Sequence, residues 1–301
     1  MVLSLTKRAD DGSLKCLWTL GIGTQVESIA FDLPARKVLR QLGPLLSARL
    51  DDIPANHVIC VSSQAGCNIG CTFCATGLQP SAYNLSTDEI VTQVRCTSMH
   101  YGCTETVTCA VTFAVMGEPL LNYQNVVTAG NHLLGSGIAR SESVSTVGIV
   151  PRLSDLAKDA PDLFLFISLH ATSDEQRQNL IPVATKYPLR TIISAGYDFA
   201  EATSRRVTAN YLLLPGINDT TDDAIRLGRL LDATVFNVQI LLWNEIEGLP
   251  YRRASLENAL QFYRTISDVG LHSYITPSAG RLVRGACGQL ATIPTCARSR
   301  H

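Results

Sequence analysis

Between residues 57 and 276, short apolar runs alternate with stretches of helical period six times over, and few folds accommodate that alternation. His57 to Ser63 reads as a buried strand followed by a glycine-flanked loop. Ser86 opens a helix: Glu89, three residues on, completes a capping box, and Ile90, Val91 and Val94 follow at helical spacing. Val107 to Ala114 reads as a strand ending in Met116-Gly117-Glu118-Pro119, and a helix is expected from Asn122 to Leu134. Val144 to Val150 is expected as a strand, with Pro151 in the first turn of a short helix. Leu163 to Leu169 is a strand ending at His170. Helices over Leu189–Thr203, Thr220–Leu231 and Ala254–Val269 then alternate with strands over Arg206–Leu214, Val235–Leu242 and Leu271–Thr276. Such alternation predicts a parallel sheet, curled or closed into a barrel.

In sheets of that kind, functional residues gather at the carboxyl ends of the strands. The distinctive polar residues fall there: the loop after the first strand, Gly117-Glu118-Pro119, His170, Asn218 with Asp219, and Trp243-Asn244. The first loop, Gly66-Cys67-Asn68-Ile69-Gly70-Cys71-Thr72-Phe73-Cys74, is the most specific. Its spacing can wrap three thiolates around one iron–sulfur cube and leave the fourth iron without a protein ligand, open to a small molecule. The competing readings are zinc, a disulfide framework and unligated thiols. Zinc sites commonly take four ligands from paired knuckles, whereas this chain has no second Cys-x-x-Cys pair and no His in the loop. Ten cysteines in 301 residues fall far short of a disulfide scaffold, and the N-terminus does not resemble a signal peptide.

The first fifty residues follow another pattern. Lys15–Leu20 and Gln25–Phe31 alternate around Gly21-Ile22-Gly23 as a β-hairpin, and Lys37–Leu50 is amphipathic through Leu39, Leu42, Leu45 and Leu46. A hydrophobic fraction of 46% with 17% charged residues suits a well-packed soluble α/β protein. No apolar run approaches the ~18 residues of a membrane span. The formal charge of −1 announces no nucleic-acid partner, although a local basic face fits within a neutral total. Reduced, iron-loaded cysteines imply the cytoplasm.

Taken in order, Cys60-Val-Ser-Ser-Gln-Ala-Gly-Cys67, Met116-Gly-Glu-Pro-Leu120, Ser168-Leu-His-Ala171 and Ala286-Cys-Gly-Gln-Leu290 resemble the radical S-adenosylmethionine (SAM) methyltransferases that act on RNA adenines. These enzymes methylate carbon 2 of adenine in ribosomal RNA and tRNA, and relatives in the Cfr group methylate carbon 8. The resemblance spans about Gly12 to Ala291. It implies a partial (β/α)6 barrel of the radical SAM type with an N-terminal β-hairpin extension. The expected division is 1–56 (hairpin and insertion), 57–276 (barrel) and 277–301 (C-terminal tail). It further implies a [4Fe-4S] cluster on Cys67, Cys71 and Cys74 whose open iron chelates SAM. An adenine ring carbon is a poor nucleophile, so a radical route avoids a barrier that ordinary methyl-cation transfer cannot; the cofactor carries the hard step while the protein positions and insulates it. By the same resemblance, Gly117 and Glu118 meet the ammonium group of SAM, and Ser145, Ser168, Leu169, His170 and Asn244 hold the rest. Cys287 matches the cysteine that accepts a methyl group from a first SAM. Cys60 matches the one that resolves the protein–substrate crosslink by disulfide formation, and Glu27 the proposed base. Cys16, Cys96, Cys103, Cys109 and Cys296 match no role.

Three departures bear on the substrate. The family carries an N-terminal accessory domain that helps hold RNA, and this sequence starts almost at the hairpin, so a chain without that domain is expected. An acidic run normally precedes the tail cysteine, whereas Gly280-Arg-Leu-Val-Arg-Gly285 carries two arginines, residues that pair well with phosphate. The family's Glu-Tyr in the fifth strand is Asn210-Tyr211, and Pro34–Asn56 reads as an insertion. The expected partners are an RNA substrate (rRNA or tRNA) and an external flavodoxin- or ferredoxin-type electron donor, with no membrane and a monomeric state. The same radical core acting on a nucleotide, a natural product or a peptide is the alternative. A non-enzymatic metal-binding barrel is a third reading, opposed by the intact Gly-Glu-Pro motif and the two extra cysteines.

Overall fold

The structure is a computed structural model and describes residues 1–33, 57–78, 83–103, 108–276, 278–286 and 288–289. The amphipathic stretch Lys37–Leu50, the insertion Pro34–Asn56, Cys287, Leu290 and Cys296 lie outside the described residues.

Three strands open the chain, β1 (Val2–Arg8), β2 (Leu14–Thr19) and β3 (Gln25–Asp32). They form an antiparallel meander whose third strand pairs antiparallel with β4 (His57–Val61), Ile29 opposite Cys60. The expected hairpin is therefore β2–β3. β1 is an addition to that hairpin, and its side chains are almost all exposed. A two-stranded ladder, β5 (Gln64–Ala65) with β6 (Tyr83–Asn84), brackets the cysteine loop. α1 (Thr87–Tyr101) follows with the expected capping box: Ser86 Oγ accepts from the Glu89 N–H while Glu89 accepts from the Ser86 N–H.

The alternation then runs as β7 (Cys109–Phe113), α2 (Tyr123–Gly135), β8 (Ala139–Thr146), α3 (Val150–Asp159), β9 (Phe164–Ser168), α4 (Asp174–Leu180), α5 (Leu189–Thr203), β10 (Val207–Leu213), α6 (Thr221–Leu230), β11 (Phe236–Leu242), α7 (Leu256–Asp268) and β12 (Ser273–Thr276). β4 and β7 to β12 pair in parallel in sequence order, and with β1–β3 they make one ten-stranded sheet. β1 and β12 are its two ends, so the sheet is open. It is also curled, because side chains from β3, β4 and β7 to β12 line one cavity.

Two boundaries correct the sequence reading. β8 begins at Ala139 and ends at Thr146, not 144–150, and Val150 already opens α3 with Pro151 in its first turn. The early half of β8 is Arg-Ser-Glu-Ser, polar on both faces. Ser143 and Ser145 turn to the cavity, and Glu142 is buried behind the sheet, so no apolar alternation marks the strand. α4 carries no apolar period to announce it, being seven residues long with only Arg177 and Leu180 buried.

The main core lies between the outer face of the sheet and the helices, built from residues such as Val111, Phe113, Ile167, Phe199 and Phe236. Burying each such side chain contributes about 1.5–3 kcal/mol. The meander is joined to this core through polar groups that satisfy one another. Trp18 Nε1 donates to Ser28 Oγ at 2.8 Å, and Ser28 Oγ meets Thr97 Oγ1 of α1 at 2.7 Å.

Candidate active site

The inner face of the sheet encloses a cavity of about 1220 Å³ that reaches the carboxyl ends of the parallel strands. Cys60, Cys67, Cys71, Cys74, Gly117, Glu118, Ser145, Ser168, His170 and Asn244 all line it. The sequence had placed these residues together only through their positions at strand ends. Leu169 is buried beside them and does not line the space.

The cysteine loop turns at Gly66 (φ 79°) and Gly70 (φ 71°) and is held from several sides. The Thr72 N–H donates to the Leu180 carbonyl at the end of α4, and the Thr72 hydroxyl meets the Tyr251 hydroxyl at 2.6 Å. Trp243 Nε1 donates to the Phe73 carbonyl at 2.9 Å, and the Ala75 N–H donates to the Gly288 carbonyl at 2.8 Å. Burial pushes the Cys67 thiol up to about 12 and raises Cys71 as well; the neighbouring loop thiols and Glu118 add to both. Three thiols in one wall, close enough to perturb one another, fit a group that takes a thiolate at each of three corners. Among the described residues no three His, Cys, Asp or Glu side chains converge as the ligands of a single metal ion.

Glu118 is buried opposite the loop. Its N–H donates to Gln64 Oε1 at 2.8 Å, Oε1 accepts from the Leu120 N–H at 3.0 Å, and Oε2 accepts from the Val147 N–H at 2.8 Å. Burial raises its pKa, while hydrogen bonds from Thr146, Val147 and Leu120 oppose the rise. With three of its roughly four acceptor positions taken, the carboxylate keeps one for a cationic ligand. The residue before it must be glycine. Gly117 has φ 95°, and a Cβ there would lie 2.5 Å from Gln64 Cβ and 2.8 Å from the Gln64 nitrogen.

His170 adopts a left-handed backbone (φ 59°), which turns its ring toward the cavity and against Phe73. Its Nδ1 accepts from the Leu212 N–H at 3.0 Å, so the neutral ring carries its proton on Nε2. Burial, with help from the Arg177 charge, lowers its pKa to about 3 and keeps it neutral. Asn218 fixes this turn: Nδ2 donates to the His170 and Leu212 carbonyls, and Oδ1 accepts from the Leu214 N–H. Asn210, the departure from the family pattern, lines the cavity and donates to Ser145 Oγ at 3.2 Å. Asn244 Oδ1 accepts from Arg253 at 2.7 Å.

Glu27 is not among the lining residues. It is buried at the mouth end of β3 with Oε1 2.8 Å from Lys15 Nζ, and Oε2 has no hydrogen-bond partner among the described residues. Cys287 lies outside the described residues, but Ala286 and Gly288 on either side of it line the cavity that Cys60 lines. Sequence reasoning missed Arg177, Gln64 and Arg253, which hold the lining residues from behind. A buried arginine inside a charged helix, or one amide in a loop, carries no spacing that marks it.

A curled parallel sheet with a three-thiol loop at its carboxyl edge is the architecture of radical SAM enzymes, and residues 61–228 match the radical SAM superfamily. A dual-specificity RNA methyltransferase RlmN from Anaeromyxobacter sp. (strain Fw109-5) is 36% identical over 294 residues, covering 95% of this chain and 72% of its own length. A probable dual-specificity RNA methyltransferase RlmN from Frankia alni is 37% identical over 263 residues, covering 84% of this chain and 63% of its own. The crystal structure of a radical SAM methyltransferase from Sphaerobacter thermophilus superposes with a TM-score of 0.84 at 31% identity, covering 96% of this chain and 80% of that one. The chain belongs to the RlmN family of radical SAM methyltransferases. No helix among the described residues is long and apolar enough to cross a membrane.

Proposed function

We propose that this enzyme methylates a ring carbon of adenine, carbon 2 or carbon 8, in rRNA or tRNA, with Cys287 carrying the methyl group. The observation that carries the reading is that both neighbours of Cys287 line the cavity that also holds Cys60 and the three loop cysteines. The names of the relatives support RNA as the substrate.

In this reading Cys67, Cys71 and Cys74 hold a [4Fe-4S] cluster, which when bound supplies the electron that splits SAM. Glu118 accepts a hydrogen bond from the SAM ammonium group, and the absent Cβ of Gly117 lets the chain pass this close to Gln64. Ser145, Ser168 and Asn244 offer polar contacts to the ligand, the Leu169–His170 backbone shapes its pocket, and neutral His170 presents its Nε2 proton as a donor. Cys287 takes a methyl group from one SAM, releasing S-adenosylhomocysteine and a proton. That methyl gives one hydrogen atom to the 5′-deoxyadenosyl group of a second SAM, which leaves as 5′-deoxyadenosine, with methionine released. The carbon then bonds to adenine, one electron is given back to the cluster, and Glu27 accepts the proton from the substituted ring carbon. The Cys60 thiolate then attacks the Cys287 sulfur, which breaks the bond from sulfur to the transferred carbon and leaves a Cys60–Cys287 disulfide, while the released carbon takes up a proton to become the methyl group. An external donor of flavodoxin or ferredoxin type supplies the electron for SAM cleavage, and a thiol reductant supplies the two electrons that reopen the disulfide.

Mass spectrometry tests this at two points. Protein incubated with SAM gains one methyl on the peptide containing Ala286-Cys287-Gly288, and RNA from cells with the gene carries a methyladenine that is missing without it. Cys287→Ala keeps its cluster and binds SAM but transfers no methyl. Cys60→Ala instead accumulates a covalent Cys287–RNA adduct. Methylated RNA produced by Cys287→Ala would defeat the mechanism, and activity confined to a nucleoside, metabolite or peptide would replace RNA as the substrate.

A further inference from the structure

The segment that carries Cys287 is fastened to the N-terminal meander at three points. The Gly280 N–H donates to Asp11 Oδ2 at 3.1 Å, and Lys15 Nζ donates to the Arg284 carbonyl at 3.1 Å. Gly280 and Gly285, joined by a 2.9 Å bond from the Gly285 N–H to the Gly280 carbonyl, lie so close to Ile29 that a Cβ on either would come within 2.3 Å of Ile29 Cδ1. β3 alternates, so Glu27 shares the face of Ile29 and Phe31, both of which line the cavity, while Ser28 faces α1. Lys15 pairs across the ladder with Ile29 and reaches Glu27 diagonally at 2.8 Å. A single ammonium group therefore touches both the Glu27 carboxylate and the backbone three residues before Cys287.

We infer that Lys15 is a positioning residue that couples the docking of the Cys287 segment to the protonation state of Glu27. The inference rests on the proposed role of Glu27 as the base. Glu27 is 3% exposed and separated from this segment by the Lys15 ammonium, and a carboxylate with one oxygen unpartnered is costly to bury as an anion. Burial raises its pKa, and Lys15 opposes the rise. The other charged groups nearby are Asp11, through its bond to Gly280, and Arg281 and Arg284, whose side chains are exposed. With the segment docked, Lys15 favours the Glu27 anion in a dry setting, where Oε2 is a strong acceptor for the proton leaving the ring carbon. With the segment released, water solvates the carboxylate and it becomes an ordinary weak base. Proton removal is thereby restricted to the state in which the carrier cysteine is in place.

Lys15→Met keeps the length of the side chain and removes its charge, and Lys15→Arg restores the charge. In cluster-loaded Lys15→Met, amide hydrogen exchange across 278–289 rises tenfold or more while exchange in β8 and β9 stays protected, which shows that the barrel is folded. The acid limb of single-turnover methylation of RNA moves up by about one pH unit or more, because the charge that favoured the Glu27 anion is gone. Lys15→Arg returns both measurements toward wild type. Unchanged exchange across 278–289, or an unmoved acid limb in an enzyme that Glu27→Gln inactivates, overturns the inference while leaving the base in place. Full turnover by Glu27→Gln removes Glu27 from the reaction, and the coupling with it.

Discussion

Glu142 sits on the outer side of β8 among Val126, Val127, Leu134 and Leu163, and its Oε1 has no hydrogen-bond partner among the described residues. Room for it comes from Gly130 of α2, where a Cβ would fall 2.5 Å from Glu142 Oε2. Burial pushes its pKa to about 7, against roughly 4.3 for a glutamate in an unfolded chain. Between those values the folded protein holds a proton that the unfolded chain has released, so stability falls as pH rises through this window. Above pH ~7 the full penalty is in force, roughly 4 kcal/mol from that difference. Glu142→Gln is therefore expected to raise stability at pH 8 by up to about 4 kcal/mol and to change little at pH 4, as read by denaturant unfolding at both values. Equal effects at the two pH values would show that the carboxyl titrates normally. No residue pattern announces such a site: Glu142 reads as one polar residue among several. The cysteine triplet is the opposite case, since all its information lies within eight consecutive positions, Cys67 to Cys74.

Among the elements, α4 has the largest effect on the site for its length. Ser173 caps it by accepting from the Gln176 N–H, and its last residue, Leu180, receives the Thr72 N–H of the cysteine loop. Arg177 in its middle donates Nε to the Leu169 carbonyl and one terminal nitrogen to the carbonyls of Val147 and Ser168, at 3.2, 2.6 and 3.1 Å. One short helix thus fixes the ends of β8 and β9 and the loop that precedes α1. Burial lowers the Arg177 pKa to about 10, with Cys71 and Asp174 pulling the other way, so the guanidinium remains charged. Arg177→Lys keeps a charge but loses the planar fork that reaches all three carbonyls. Each charge-assisted bond lost costs about 1.5–3 kcal/mol, and the strand ends bearing Ser145, Ser168 and His170 lose their common anchor. SAM affinity of the cluster-loaded variant is expected to fall roughly tenfold or more by calorimetry, with circular dichroism unchanged. Unaltered affinity would refute the anchoring role. Helices with a full apolar stripe, such as α5, were legible to the residue; α4 was not, because what it buries is a cation.

For the whole molecule, the alternation of strands and helices made the parallel sheet and its active edge legible, because both follow from periodicity and from one rule about strand ends. The closeness of meander and tail was not legible, since Lys15 and Arg284 are 269 residues apart and meet through a backbone carbonyl that sequence cannot mark. That contact also sets the direction of the basic turn. The backbone from Gly280 to Gly285 is pinned against Ile29, while the side chains of Arg281 and Arg284 remain exposed beside a cavity that Gly285 and Ala286 line. Arg281 is near enough to Arg253 to help lower its pKa, second to burial and with Glu245 opposing, so three arginines gather at this rim in a chain whose formal charge is −1. If the substrate is RNA, these arginines meet its phosphates as the target adenine enters. Each phosphate contact releases counterions and adds about 0.7 to the steepness of affinity against salt for a single strand. Replacing both Arg281 and Arg284 with Ala should flatten that dependence by about 1.4, while methylation of the Cys287 peptide by SAM alone proceeds as before. Equal slopes for variant and wild type would place the RNA backbone elsewhere on the mouth, and a loss of Cys287 methylation would show that the arginines act on the fold of the turn instead of on the substrate.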